Sequence, residues 1–147
     1  MVNPGLVTVV YDKKLSLTRG FYVQLAIPSF FLHHKFLVDA EQRFRERPSD
    51  TSVIQGQTAY IRCSIDDLTG RVQWTKGGLT MGYDRSVPGY PRYTVIGREE
   101  HNEYDLMITD VSIEDDDEFQ CQVGPGGPGE PSLQGIAKLT VLGESAD

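Results

Sequence analysis

The chain has 147 residues, with 14 basic and 21 acidic side chains and a formal charge of -7 at neutral pH. That length holds one domain of ordinary size and a short appendage, and 39% hydrophobic residues supply a core but too little apolar surface for a membrane protein. The acidity argues against binding nucleic acid or anionic lipid, because phosphate recognition needs a basic footprint.

The charge is spread unevenly. Residues 1–40 hold four of the basic and two of the acidic side chains, leaving ten and nineteen for the remainder. In that first stretch Lys13, Lys14 and Arg19 precede an apolar run from Phe21 to Leu32, and Val38-Asp39-Ala40 suits a small-residue cleavage site. This is the layout of a secretory signal, although Pro28 interrupts the run and His33-His34-Lys35 intrudes before the cleavage point. Residues 1–40 are therefore expected to be a leader, the competing reading being an alternative first exon. The run is too short for a good membrane span. His33-His34 lacks the cysteine or carboxylate cluster that a metal site needs.

From Gln42 onward the text becomes short alternating runs punctuated by turn residues, the pattern of an all-β sandwich. A first strand is expected over Gln42 to Arg47, stopped by Pro48, and a short edge piece over Ser52 to Gln55. Thr58 to Ile65 follows, with Ala59, Ile61, Cys63 and Ile65 on one face. The strand Arg71 to Lys76 turns Val72 and Trp74 inward, and Gly77-Gly78 makes a tight hairpin into Leu79 to Met81. Gly82 to Pro91 reads as loop. A strand from Arg92 through Val95, a charged turn over Gly97 to Asn102, and a strand carrying Tyr104, Leu106 and Ile108 come next. Phe119, Cys121 and Val123 point inward from the following strand. The run 124–129, glycine- and proline-rich, is a loop, and Gln134 to Leu142 returns Ala137, Leu139 and Val141 to the core. No helical apolar period persists after residue 41.

The sequence contains no arrangement that performs chemistry. The three histidines have no partner at a telling spacing, and no G-x-S-x-G, phosphate-cradling or zinc pattern occurs. The acidic run Glu114 to Glu118 carries enough carboxylate to attract calcium, but the favoured reading is that it serves the turn before the next strand. No enzyme activity, cofactor, metal, nucleic acid or small-molecule substrate is expected.

The two cysteines, Cys63 and Cys121, frame the single tryptophan, Trp74, eleven residues after the first, and Asp-Glu-Phe precedes the second. That spacing resembles an immunoglobulin sandwich, I-set or V-like. The resemblance implies one inter-sheet disulfide between Cys63 and Cys121, with Trp74 packed against it. It also implies an ion pair between Arg92 and Asp115 closing one end of the sandwich. The tyrosine usual two residues before the second cysteine is Phe119 here, so its corner hydrogen bond is expected to be missing and Phe119→Tyr to stabilise.

Alternation places Gln73, Thr75, Gln120, Gln122, Ile136 and Lys138 on the outward face of the strands that carry Trp74, Cys121 and Leu139, with Met81 beside them. Amides and apolar groups in place of charge are what interface centres show, so these residues are the expected partner-binding face. An ordinary wet sheet face is the competing reading.

Four separated segments, Val72 to Gly78, Tyr90 to Tyr93, Tyr104 to Asp110 and Ala137 to Val141, resemble the first immunoglobulin domain of the Neph/Kirre (irregular chiasm) cell-recognition proteins, relatives of nephrin, and most of all their nematode synaptogenesis members. The resemblance covers about residues 42–142. It implies a cell-surface, extracellular adhesion module pairing, homophilically or with a nephrin-type immunoglobulin domain, through the face just described. Those receptors carry several such domains, a membrane span and a cytoplasmic tail, so the expectation is a fragment, a truncated gene model or a secreted short form, with residues 41–147 as the immunoglobulin-like domain. The rival readings are a structural immunoglobulin domain of an intracellular muscle-type protein, whose cysteines would stay reduced, and a soluble ligand-binding decoy.

Overall fold

Ten strands form in the computed structural model, which describes residues 40–144. The leader reading of residues 1–40 therefore lies outside the described residues but for Ala40. In chain order the strands are β1 (Arg43–Glu46), β2 (Thr51–Ile54), β3 (Ala59–Ile61), β4 (Ser64–Asp66), β5 (Val72–Lys76), β6 (Leu79–Thr80), β7 (Tyr93–Ile96), β8 (Asp105–Ile108), β9 (Asp117–Val123) and β10 (Leu133–Leu142). Two single 3₁₀ turns, Glu99–His101 and Ile113–Asp115, interrupt them.

One sheet runs β2-β10-β9-β5-β6 and the other β3-β8-β7, with β1 paired to β4. The start of the chain thus serves both layers. β1 runs antiparallel to β4, then the chain crosses over and β2 joins β10 in parallel, from the Leu139–Thr51 pair to the Leu142–Ile54 pair. Pro48, buried between the two strands, has no N–H to waste at the crossing. Gly135 on β10 makes room for it, since a Cβ there would stand 2.6 Å from Pro48 Cδ. The hairpin between β5 and β6 turns on Gly77 and Gly78, both at positive φ (54° and 82°), the conformation that glycine alone adopts freely.

The alternating side chains meet between the sheets. Ile61, Ile65, Leu106, Ile108, Phe119, Val123 and Leu139 pack around Trp74 and the Cys63–Cys121 bridge, all essentially inaccessible. The two half-cystines lie 58 residues apart, so closing that loop stabilises the fold by on the order of 4 kcal/mol in the chain-entropy model. Trp74 keeps its indole N–H satisfied by donating to the Tyr104 carbonyl at 2.7 Å.

The single strand expected over Thr58 to Ile65 is two strands. At the break, the Cys63 N–H donates to the buried Asp105 carboxylate at 2.8 Å in place of a ladder carbonyl, and Arg62 pairs with the same carboxylate. Gln42, expected as the first strand residue, is instead a buried clip. Its amide donates to the carbonyls of Gly124 and Pro131 and its oxygen accepts from the backbone of Thr69 and Gly70.

Candidate functional site

The acidic turn and the outward face of the larger sheet hold most of the polar chemistry, and they use it differently. The turn begins at Ser112, where Ser112 and Asp115 form a reciprocal capping box. Asp115 is 1% exposed. It receives a two-pronged bond from Arg92, at 2.7 and 3.0 Å, another from the Ser112 N–H at 2.8 Å, and one from the Tyr93 hydroxyl. Burial pushes its pKa up, but these donors outweigh it and hold the carboxyl at about 2. Burial, and then the bond to Asp115, raises the Tyr93 hydroxyl above its ordinary value.

The expectation of a corner short of one hydrogen bond is corrected here. Phe119 is fully buried with its ring 6.2 Å from that of Tyr93, and the Tyr93 hydroxyl supplies the corner's bond from the neighbouring sheet. Two further carboxylates of the run are also engaged. Asp116 accepts from Lys138 and from the Val141 N–H, and Asp117 from the Glu118 N–H. Its bond to Lys138 holds Asp116 below the usual carboxylate range. Among the described residues, no cluster of three His, Cys, Asp or Glu side chains is placed to hold a metal.

On the outward face, β9 stands between β5 and β10, so Gln73 lies across from Gln122, Thr75 from Gln120, and Gln120 from Ile136. The amides join into a ladder. Gln73 donates to Gln122 at 3.4 Å, Gln122 to Gln120 at 3.1 Å, and Gln120 to the Glu118 carboxylate at 2.9 Å, while Gln134 also donates to Gln120. Ile136 is 48% exposed beside them. Lys138 is exposed but paired with Asp116.

Two expected members of this face are not on the surface. Thr75 is 1% exposed, a short side chain between Gln120 and Thr80 on the flanking strands, and its hydroxyl has no partner among the described residues. Met81 is 6% exposed and part of the core, because β6 ends at Thr80 and the chain turns inward while the Met81 N–H bonds the Trp74 carbonyl. Gln134 and Glu118 belong to the face instead. The same alternation that places Ile136 and Lys138 outward places Gln134 there too, and it was the signal to follow.

A two-layer sandwich pinned by Cys63, Cys121 and Trp74, with a first strand divided between the sheets, is an immunoglobulin domain. The immunoglobulin I-set domain profile matches residues 42–130, and the chain belongs to that family. Its relatives include the Irregular chiasm C-roughest protein of Drosophila melanogaster, 37% identical over 69% of this chain, and Synaptogenesis protein syg-1 of Caenorhabditis elegans, 38% identical over 69%. The chain spans 13% and 14% of the length of those two. Among solved structures, that of Duf (Kirre) D1 is 36% identical with a TM-score of 0.67, covering 69% of this chain and 97% of the other. A titin Z1Z2 tandem, 18% identical at a TM-score of 0.59, shares the fold alone.

Proposed function

We propose that residues 41–147 are an extracellular recognition module that pairs the amide-lined face of β5, β9 and β10 with an immunoglobulin domain on another cell, either a like domain or one of nephrin type. The observation that carries this reading is the ladder of half-exposed glutamines at the centre of an acidic domain. Each amide offers both donor and acceptor, and the ladder leaves part of that capacity unused. Similarity to the Irregular chiasm, synaptogenesis and nephrin proteins, which are adhesion receptors and not enzymes, supports a binding role. A bonded Cys63–Cys121 pair supports export, since such bridges persist in oxidising compartments.

The test is cell aggregation or sedimentation with the full chain, alone and mixed with a nephrin-type first domain. Gln73→Asp would bury a charge without a counter-ion at the contact, costing several kcal/mol of binding, and should abolish pairing at unchanged thermal stability. Binding that survives Gln73→Asp but fails after changes on β3 or β8 would place the interface on the opposite sheet and sink the assignment.

A further inference from the structure

The pairing of β5 with β6 stops short of the start of β5. Lys76 pairs with Leu79 and Thr75 with Thr80, and the Met81 N–H donates to the Trp74 carbonyl. In that register the next bonded pair would be Val72 with Tyr83. Gly82, at a φ of 86°, turns the chain away, and no backbone bond joins the two. Nor do the backbone groups of Val72 turn to β9. On that side the Arg71 carbonyl accepts from the Gly124 N–H and the Glu118 carbonyl from the Gly77 N–H, and alternate residues of an antiparallel strand point the same way. Arg71, Gln73 and Thr75 therefore serve β9, while the N–H and C=O of Val72 face the opposite edge. They have no partner there among the described residues, although Val72 is only 7% exposed. Buried backbone groups left unpaired are rare.

Val72 lines a groove of about 410 Å³, within the range of ligand clefts. Two arginines line it as well. The Arg71 guanidinium lies over the Tyr83 ring, 3.7 Å from the centroid, and that of Arg85 over the Tyr104 ring at 4.9 Å. Arg85 also donates to the Val95 and Glu103 carbonyls. Among the described residues neither arginine has a carboxylate partner, and Arg71 donates to no oxygen at all. Stacking holds the Arg71 fork in place and leaves its N–H edges for a planar anion. Asp84 and Glu99 line the same groove, so two carboxylates balance its two cations and a polyanion is disfavoured.

We infer that this groove takes an extended peptide segment of a partner protein, which adds a strand to the open edge of β5 at Val72 and gives one Glu or Asp side chain to Arg71. Strand addition draws its affinity from main-chain bonds and its specificity from the side chains beside them. Asp84 and Glu99 admit a single carboxylate in the segment and reject a run of them. The site uses an edge of β5 and not the amide-lined face, so it stands or falls apart from the pairing proposed above.

The experiment is selection from a library of blocked heptapeptides with a fixed central Glu and random flanks, with the full chain as bait, against the same library with central Gln. Binders should come from the Glu library, without further acid beside the Glu. Arg71→Ala should weaken them by about tenfold or more at unchanged melting temperature, because the side chain is exposed. Arg71→Lys should restore only part of the loss, since an ammonium has no planar fork. N-methylation of the peptide should abolish binding at the residue paired with Val72 and be tolerated at its two neighbours, and saturation with peptide should slow hydrogen exchange of the Val72 N–H. No binder at all, binders drawn equally from both libraries, or binders indifferent to Arg71→Ala overturn the inference. Tolerance of N-methylation at every position, or no protection at Val72, overturns the added strand. A hexuronate disaccharide that binds through Arg71 when no peptide does overturns the peptide as occupant.

Discussion

Two polar networks lie on opposite sides of Phe119, and their difference separates one that holds the fold from one left free to take part in the proposed contact. At the corner, the Asp115 carboxylate is buried and takes bonds from Arg92, Tyr93 and Ser112 until no acceptor position remains. On the outward face, Gln73, Gln120 and Gln122 are half-exposed and bond mainly to one another, with capacity left over. A saturated buried network can only hold the fold together, and breaking it leaves an uncompensated charge in a low-dielectric interior. A half-used network at the surface costs little to disturb in the monomer and has bonds to offer a partner.

Removing Arg92 is the sharpest way to break the corner. Arg92→Ala should destabilise by about 3 kcal/mol in urea titration, because Asp115 stays buried with only the more distant Lys76 ammonium, 3.9 Å away, to offset its charge. Acid acts on the same carboxylate more gently. Its pKa is about 2 in the folded chain against an ordinary 3.8, so its contribution is complete above pH 4 and is lost as pH falls through 2. That amounts to about 2 kcal/mol, read from melting temperature against pH in wild type and Asp115→Asn. Phe119→Tyr should cost about 1–2 kcal/mol, because a new hydroxyl enters a full core whose corner bond Tyr93 already makes. The ladder should barely register by comparison. Gln134→Ala is expected to shift stability by less than about 0.5 kcal/mol while weakening pairing. Thr140→Asp, near the end of β10 and away from the amides, should weaken it less than Gln73→Asp.

Most of the sandwich could be read from the chain because alternation is a strong signal when one face of a strand is buried. Cys63, Trp74 and Cys121 fixed which strands face each other, and Arg92 with Asp115 lay where the immunoglobulin pattern puts them. Tyr93 as the third partner was not legible, since its hydroxyl crosses from one sheet to the other and no spacing records that contact. Asp105 and Gln42 escaped for the same reason, each satisfying backbone groups far away in sequence. Thr75 shows a different limit. Alternation says on which side of the sheet a residue lies, and the length of the neighbouring side chains decides whether water reaches it. Met81 marks where a two-residue strand ends and its period stops applying.

The crossing of the first strand from one layer to the other also has a mechanical meaning. Because β2 and β10 run parallel over four paired residues, a pull applied to the β10 end runs along the ladder and strains its bonds together. A hairpin pulled from its open end would yield one bond at a time. Tension entering through the β5–β9–β10 sheet would reach β10 along its seven-residue pairing with β9, so the strand that carries part of the proposed contact is also the one braced on both sides.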